Sequence, residues 1–325
     1  MLESIHVTAS APGKTILFGE HAVVYGKPAI AAAVDKRAYV TIKGRADNRT
    51  HVTVEELGVS GFLDLENGTI NSDKVGEQNR GILEYVLKSL IKAQTSGSVE
   101  VTVKLDIPIG AGLGSSAAVT VATIMAAASY NQINLTAHEI AELAHQVELD
   151  VQGAASKIDT TLSTHGGVIY LSKNAREFVN LEIDYPLPMV IGHTKKSGNT
   201  GKLVELVRQK IEAQPAVMNP IFDSMEAIVN VARKALVNGE HETIGLIMNI
   251  NQGLLDAIGV NTEELSNMVF TARKAGAIGS KITGAGGGGS IIAYCPGRVE
   301  EVVTKINQHE KAFQINIATE GVRLE

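Results

Sequence analysis

A chain of 325 residues, 44% hydrophobic and 20% charged, is long for a single core and too apolar for global disorder, so two folded domains are expected. A net charge of −6 without a basic stripe argues against a nucleic-acid binder, although backbone N–H groups can still hold a phosphorylated ligand. The single cysteine, Cys295, excludes an intrachain disulfide or a multi-cysteine zinc site, and no apolar run reaches the roughly 20 residues of a membrane span.

The first half reads as short strands at 5–9, 29–34, 39–43, 51–57 and 62–65, apolar or β-branched and bounded by Gly, Asn or Asp. Ile82, Val86, Leu87 and Leu90 predict a helix over 77–93. Clean alternation predicts a strand over 99–105, and a glycine-rich turn then leads into a helix over 115–129. Thr136 and Glu139 have the spacing of a capping box and open a helix that runs to about 149. Gly166 and Gly167 turn the chain into a strand over 168–171, paired with 178–183. Pro186 and Pro188 punctuate the sequence, which divides it into domains 1–185 and 186–325. The second half opens with a strand over 189–193. Helices follow over 200–214, 216–238, 242–257 and 263–275, the last with a capping signature at Asn261 and Glu264. Strands at 280–282, 290–294 and 314–318 and a helix over 299–309 complete an α+β pattern in both halves.

Three segments carry chemistry. The first is Pro108-Ile109-Gly110-Ala111-Gly112-Leu113-Gly114-Ser115-Ser116-Ala117-Ala118, a glycine-rich turn between a strand and a helix N-terminus. Unpaired N–H groups and the helix dipole there favour an anion, and glycines let backbone approach phosphate oxygens. Ser115 and Ser116 can cap the helix, bind phosphate or hold a metal ion. The Gly-Lys-Ser/Thr ending of a Walker loop is missing. A structural turn with a serine cap is the plainer alternative. The second segment, Ala11 to His21, places Lys14 beside Pro12-Gly13 and ends in Glu20-His21. Lys14 can neutralise phosphate or lower a neighbouring carboxylate's pKa, and Glu20 and His21 can hydrogen-bond a polar substrate. Each is equally readable as structural or solvated. The third, Lys281 to Gly289, has four consecutive glycines, which suits either close packing against a ligand or loop, or a flexible connection.

Together, and in this order, the three segments resemble the signature motifs of the GHMP kinase superfamily. The resemblance runs from Ala11 to Gly289. The runs Gly19 to Gly26 and Gly110 to Ala118 are most similar to its mevalonate kinase branch, of the compact archaeal and bacterial type. The resemblance implies a two-domain fold, ribosomal protein S5 domain 2-like and then ferredoxin-like, with ATP between the domains. It implies ATP-dependent phosphorylation of the 5-hydroxyl of mevalonate in isoprenoid biosynthesis. Other readings are a kinase of the same superfamily acting on phosphomevalonate or homoserine, or a non-catalytic nucleotide-binding sensor.

Residue by residue, the resemblance makes 108–118 the phosphate loop and Asp159 and Lys14 the catalytic pair. It makes Ser116 and Glu148 the Mg²⁺ ligands, and Glu20, His21 and Thr194 the mevalonate contacts. Asp150 lies close to Glu148 in sequence. Lys157-Ile158-Asp159 departs from the Gly-Val/Leu-Asp of many relatives. His145, His165 and His193 are scattered singly and read as structural or surface residues; Ala122, Ile124 and Met125 read as core. A homodimer without nucleic-acid or membrane partners is expected. So is a cytoplasmic location, since the N-terminus lacks a signal peptide's basic and apolar regions. Glycine is 32 of 325 residues, about one in ten against a usual roughly 7%. The excess concentrates in a few loops, read as the walls of one cleft.

Overall fold

The computed structural model describes residues 6–71, 77–108, 110–153, 155–195 and 198–325, so Ile109 of the expected phosphate loop lies outside the described residues. Its spine is the antiparallel pair of β1 (His6–Phe18) and β2 (Ala29–Gly44), joined through a 3₁₀ turn, Ala22–Tyr25. The strands expected at 29–34 and 39–43 are one strand. β2 passes through Asp35 and Lys36 by a register shift, with Pro12 opposite Arg37 and Gly13 opposite Val34. A bulge of this kind bends the pair without ending it.

β3 (Thr50–Val54), β4 (Val59–Asp64) and β5 (Thr69–Asn71) follow, then α1 (Glu77–Lys92) and β6 (Val99–Leu105). α2 (Ser115–Tyr130) is buried on nearly every face from Ala117 to Ala128, as an all-apolar helix must be. Ala122 and Ile124 are in the core as expected, and Met125 packs against it. α3 (Ala137–Gln152) starts at the expected capping box, with Thr136 and Glu139 bonded reciprocally. α4 (Lys157–His165), which carries no periodic apolar signal, is capped by Ser156. β7 (Val168–Leu171) and β8 (Phe178–Asn180) complete the first half.

The second half contains β9 (Met189–His193), α5 (Thr200–Ala213), α6 (Pro215–Asn238), α7 (His241–Ala257), α8 (Glu263–Lys274), β10 (Gly279–Thr283), β11 (Ser290–Tyr294), α9 (Val299–Ile306), β12 (Lys311–Ile315) and β13 (Arg323–Leu324). Two expectations shift here. α8 is capped by Thr262, not Asn261, whose amide turns to Asp256 and Ser266 instead. β12 ends at Ile315, because Asn316 to Ala318 leave that sheet to bond β2 at Ala33 and Asp35.

The larger sheet runs β13-β1-β2-β6-β3-β4-β5, with β7 on β2 and β8 on β7; β3 and β6 are its parallel pair. The smaller sheet runs β10-β11-β9-β12, antiparallel throughout, in a β-α-β-β-α-β chain order that is ferredoxin-like. One apolar cluster joins Val101 and Ile124 of the first half to Met189, Ile191 and Val229 of the second, so the halves share a core. Among the described residues no helix is long and apolar enough to cross a membrane.

Candidate active site

The site forms where β1, the loop before α2, the end of α3 and the start of α4 converge. At Gly13 a Cβ would stand 2.6 Å from the Leu113 carbonyl, so only glycine lets β1 lie this close to the loop. The next residue fastens the approach: Lys14 donates its backbone N–H to Leu113 O at 2.8 Å. Gly110, Gly112 and Gly114 all have left-handed backbone, with φ of +79°, +68° and +67°. Gly114 is the N-cap of α2, and no side chain caps that end. Ser115 and Ser116 therefore occupy the first helical turn, not the capping position, and the leading N–H groups are left for an anion.

Above this turn, Lys14 Nζ lies 3.2 Å from Asp159 Oδ1, with the lysine side chain 12% and the aspartate 29% exposed. Asp159 stands in the first turn of α4, where the helix dipole favours negative charge. Gly114 closes the group. A Cβ there would meet Lys14 Cγ at 2.9 Å and Asp159 Oδ2 at 3.6 Å. Lys157, the departure from the relatives' glycine, points outward to Glu142 at 2.5 Å and leaves Asp159 undisturbed.

Glu148 sits on the buried face of α3, and no hydrogen bond or ion pair engages its carboxylate among the described side chains. Its pKa is pushed up to about 8, first by burial and then by the Asp159 charge, with Lys14 opposing. The neighbouring acid, Asp150, is half-exposed and pairs with Lys92 at 3.2 Å. A buried tyrosine that the sequence did not single out completes this corner. Tyr85 of α1 accepts a hydrogen bond from Gln152. Burial raises its pKa, the Glu148 and Asp159 charges add to that, and bonding to Gln152 and Ser116 opposes it. Ser116, Glu148 and Asp159 thus lie around one corner, Glu148 buried and the other two half-buried.

The three expected mevalonate contacts are placed differently. Glu20 is buried, with one carboxylate oxygen on Lys281 Nζ and the other 3.3 Å from Asn251 Nδ2. It is not the open substrate-facing acid that the Glu-His pattern suggested, because β10 and α7 already satisfy it. His21 is also buried, and its Nε2 meets the Ala285 carbonyl at 2.7 Å. A carbonyl only accepts, so Nε2 carries the proton and Nδ1 is a bare acceptor; that Nδ1 is buried without a partner among the described residues. Burial lowers the His21 pKa and favours the neutral ring. Thr194 bonds Gly289 through both its backbone and its hydroxyl, which anchors one end of the glycine-rich loop.

That loop is pinned, not flexible. Gly287 N–H donates to Val260 O at 2.7 Å, and Ser290 Oγ donates to Ala111 O at 2.7 Å, tying β11 to the phosphate loop. Not every glycine-rich turn belongs to the cleft, however. Gly166 lies at the far end of α4 against the backbone of Thr319 to Gly321, so its reading as a cleft wall is corrected to one of tail packing. His165 and His193 have pKa values lowered by burial, and Cys295 is a buried thiol pushed up to about 12 by the same cause.

The family model for the GHMP kinases N terminal domain matches residues 80–167, and that for GHMP kinases C terminal matches 232–312. The chain is 46% identical over 315 residues to the mevalonate kinase of Methanothermobacter thermautotrophicus, covering 97% of this chain and 99% of the relative. It is 42% identical over 332 residues to the mevalonate kinase of Thermococcus sibiricus, covering 99% of each. Its fold is similar to the crystal structure of Methanococcus jannaschii mevalonate kinase, with a TM-score of 0.84 at 28% identity, covering 97% of this chain and 99% of that one.

Proposed function

The chain belongs to the mevalonate kinases of the GHMP kinase superfamily, and on that premise we propose how its cleft carries the reaction. The enzyme transfers the γ-phosphoryl group of ATP to the 5-hydroxyl of (R)-mevalonate, a step of isoprenoid biosynthesis. The observation that carries the assignment of roles is the Lys14–Asp159 pair, 3.2 Å apart, set against Gly114 at the uncapped N-terminus of α2.

Phosphoryl transfer is mainly positioning and charge neutralisation. The backbone of residues 108–118, with the first turn of α2, receives the ATP phosphates. Asp159 orients the primary hydroxyl and takes its proton as the new O–P bond forms and the bond to the β-phosphate oxygen breaks, releasing ADP. Lys14 pairs with Asp159 and compensates the charge on the moving phosphoryl group. A kinase of this family works with a divalent cation, and we assign Mg²⁺, held by Ser116 and Glu148. The residues fit it: a buried carboxylate with no bonding partner among the described residues, beside a hydroxyl and a second acid, is an oxygen-donor set in need of positive charge. Bound there, the cation would neutralise charge on the phosphates.

At the mevalonate end, the buried Nδ1 of His21, without a partner among the described residues, is assigned as the acceptor for a substrate hydroxyl. Glu20 supports this end from behind, and Thr194 acts by fixing Gly289. The domain boundary is proposed at 185/186, between β8 and β9. A cytoplasmic homodimer is part of the same proposal; a single-chain mass by light scattering would overturn the dimer.

The test of the activity is ADP release with ATP, Mg²⁺ and, separately, mevalonate, phosphomevalonate, homoserine and galactose. Turnover is expected with mevalonate. Turnover with another acceptor and none with mevalonate would reverse the assignment.

A further inference from the structure

Lys281 is completely buried, 0% exposed, and its partner Glu20 has a side chain only 1% exposed. A charged pair shut away from water gains little over an apolar pair of the same volume, because desolvation offsets the attraction. Its use at this point therefore calls for a geometric reason. The two residues lie 261 positions apart and join the end of β1 to β10 across the two halves.

The connections are specific. Lys281 Nζ bonds Glu20 and also donates to the Ile282 carbonyl at 2.7 Å, which fixes the ammonium from its own strand. Asn251 of α7 takes the other oxygen of Glu20. Gln252, its neighbour, accepts the Ile282 N–H at 2.8 Å, so α7 and β10 hold this corner together. Glu20 has no freedom left. The next residue, His21, has φ +59°, a left-handed conformation that residues with a side chain seldom adopt unless their surroundings impose it. The imidazole is gripped at the other end of the same strand–loop unit, by Ala285 O. The carboxylate of Glu20, next in sequence to His21, and the ring of His21 are thus both held by the segment from Lys281 to Ala285.

We infer that Lys281 is a positioning residue for the acceptor-alcohol end of the cleft: through Glu20 it holds His21 in the left-handed conformation that sets the direction of its buried Nδ1, which has no partner among the described residues. The inference rests on the reading that His21 faces mevalonate. It makes the second half of the chain a determinant of acceptor binding through a side chain that never touches the acceptor. Thr15 and Thr283 add a neighbouring link, their hydroxyls 3.0 Å apart and that of Thr283 also on the Ile16 carbonyl, but neither bonds His21.

The test compares Lys281→Met, Glu20→Gln and the double variant E20Q/K281M. The single lysine variant strands a buried carboxylate, so the double variant, which removes both charges, is the decisive protein. It is expected to fold with an unfolding midpoint near that of the unmodified chain. Its KM for mevalonate should rise about tenfold, the scale of one misplaced hydrogen bond, while its KM for ATP stays within about twofold. Nitrogen NMR of the imidazoles gives a second readout, with the His21 signal identified by its loss in His21→Gln. The unmodified protein should show a single Nε2–H tautomer, and K281M should shift or broaden it. An unchanged KM for mevalonate in the double variant would overturn the inference, as would an unfolded double variant or equal losses for both substrates. If the unmodified chain does not phosphorylate mevalonate, the functional reading has failed on its own. The NMR comparison then decides the positioning role: an unchanged His21 signal in K281M overturns it and a changed one supports it.

Discussion

At Asp159 the proposed chemistry depends on one oxygen pair. The asparagine analogue keeps the shape but has no charge to draw the alcohol proton and no ion pair with Lys14. Asp159→Asn is therefore expected to lower kcat by about 10²-fold or more, with KM for ATP little changed; kcat near the original value would remove the residue from the chemistry. Glu148 makes a separate prediction through pH. Its carboxyl is pushed up to about 8 in the folded protein and returns toward its ordinary value of 4.5 on unfolding. Between those values the folded state binds more protons than the unfolded one, so stability falls as pH rises. The contribution is fully present below about 4.5 and is lost as pH passes about 8. Thermal unfolding of chelator-treated protein between about pH 5 and about pH 8.5 should show this decline, and Glu148→Gln should flatten it. The same slope in both proteins would mean that Glu148 is not held in its protonated form. Saturating divalent cation should reverse the trend, since binding there requires the ionised carboxylate.

Between elements, what brings the residues together is the close approach of β1 to the loop before α2. Gly114→Ala tests it, because the new methyl group would need a left-handed alanine and would stand 2.9 Å from Lys14 Cγ. Lys14 must move away from Asp159 to make room. A loss of about 1 kcal/mol in stability is expected from the backbone alone, together with a fall in kcat of tenfold or more, on the order of that for a displaced catalytic group. A variant with the stability loss and full kcat would show that the loop tolerates a shift the geometry forbids. This approach was half legible in the sequence. The glycine spacing marked the loop, and the periodic segments gave α1, α2, α3, β6, β7, β9 and β11 within a residue or a few of their ends. α4 was not visible, because its nine residues include three threonines and a serine, and Ile158 and Leu162 are too few to show a period. Its start at Ser156 nonetheless sets the position of Asp159. β2 was split at Asp35 because alternation fails there, and only the partner strand reveals a bulge in place of an end.

Across the whole molecule, the second half reaches into the first with a few buried side chains, and no local signal in the sequence reports them. Lys281 and Glu20 are 261 residues apart, Ser290 and Ala111 179 apart; a pattern read over a dozen residues contains neither pair. The motifs could name Glu20 and His21 but not show that one is braced and the other has a free nitrogen. These links also divide the labour. Lys281 and Ala285 grip the His21 end, whereas Ser290 grips the phosphate loop through Ala111 O at 2.7 Å, a bond that is fully buried. Ser290→Ala leaves that carbonyl without a donor, at a cost of about 1–3 kcal/mol in stability. The loop then loses its only side-chain tie to β11 among the described residues, so KM for ATP should rise several-fold, on the order of one hydrogen bond, while KM for mevalonate holds. That pattern is the reverse of the one expected for the Glu20–Lys281 double variant. Steady-state kinetics on both proteins, with each substrate varied in turn, therefore tests whether one small sheet sets the two ends of the cleft independently. If Ser290→Ala raised both KM values together, the halves would move as one body, and the separation of the two grips would have no functional consequence.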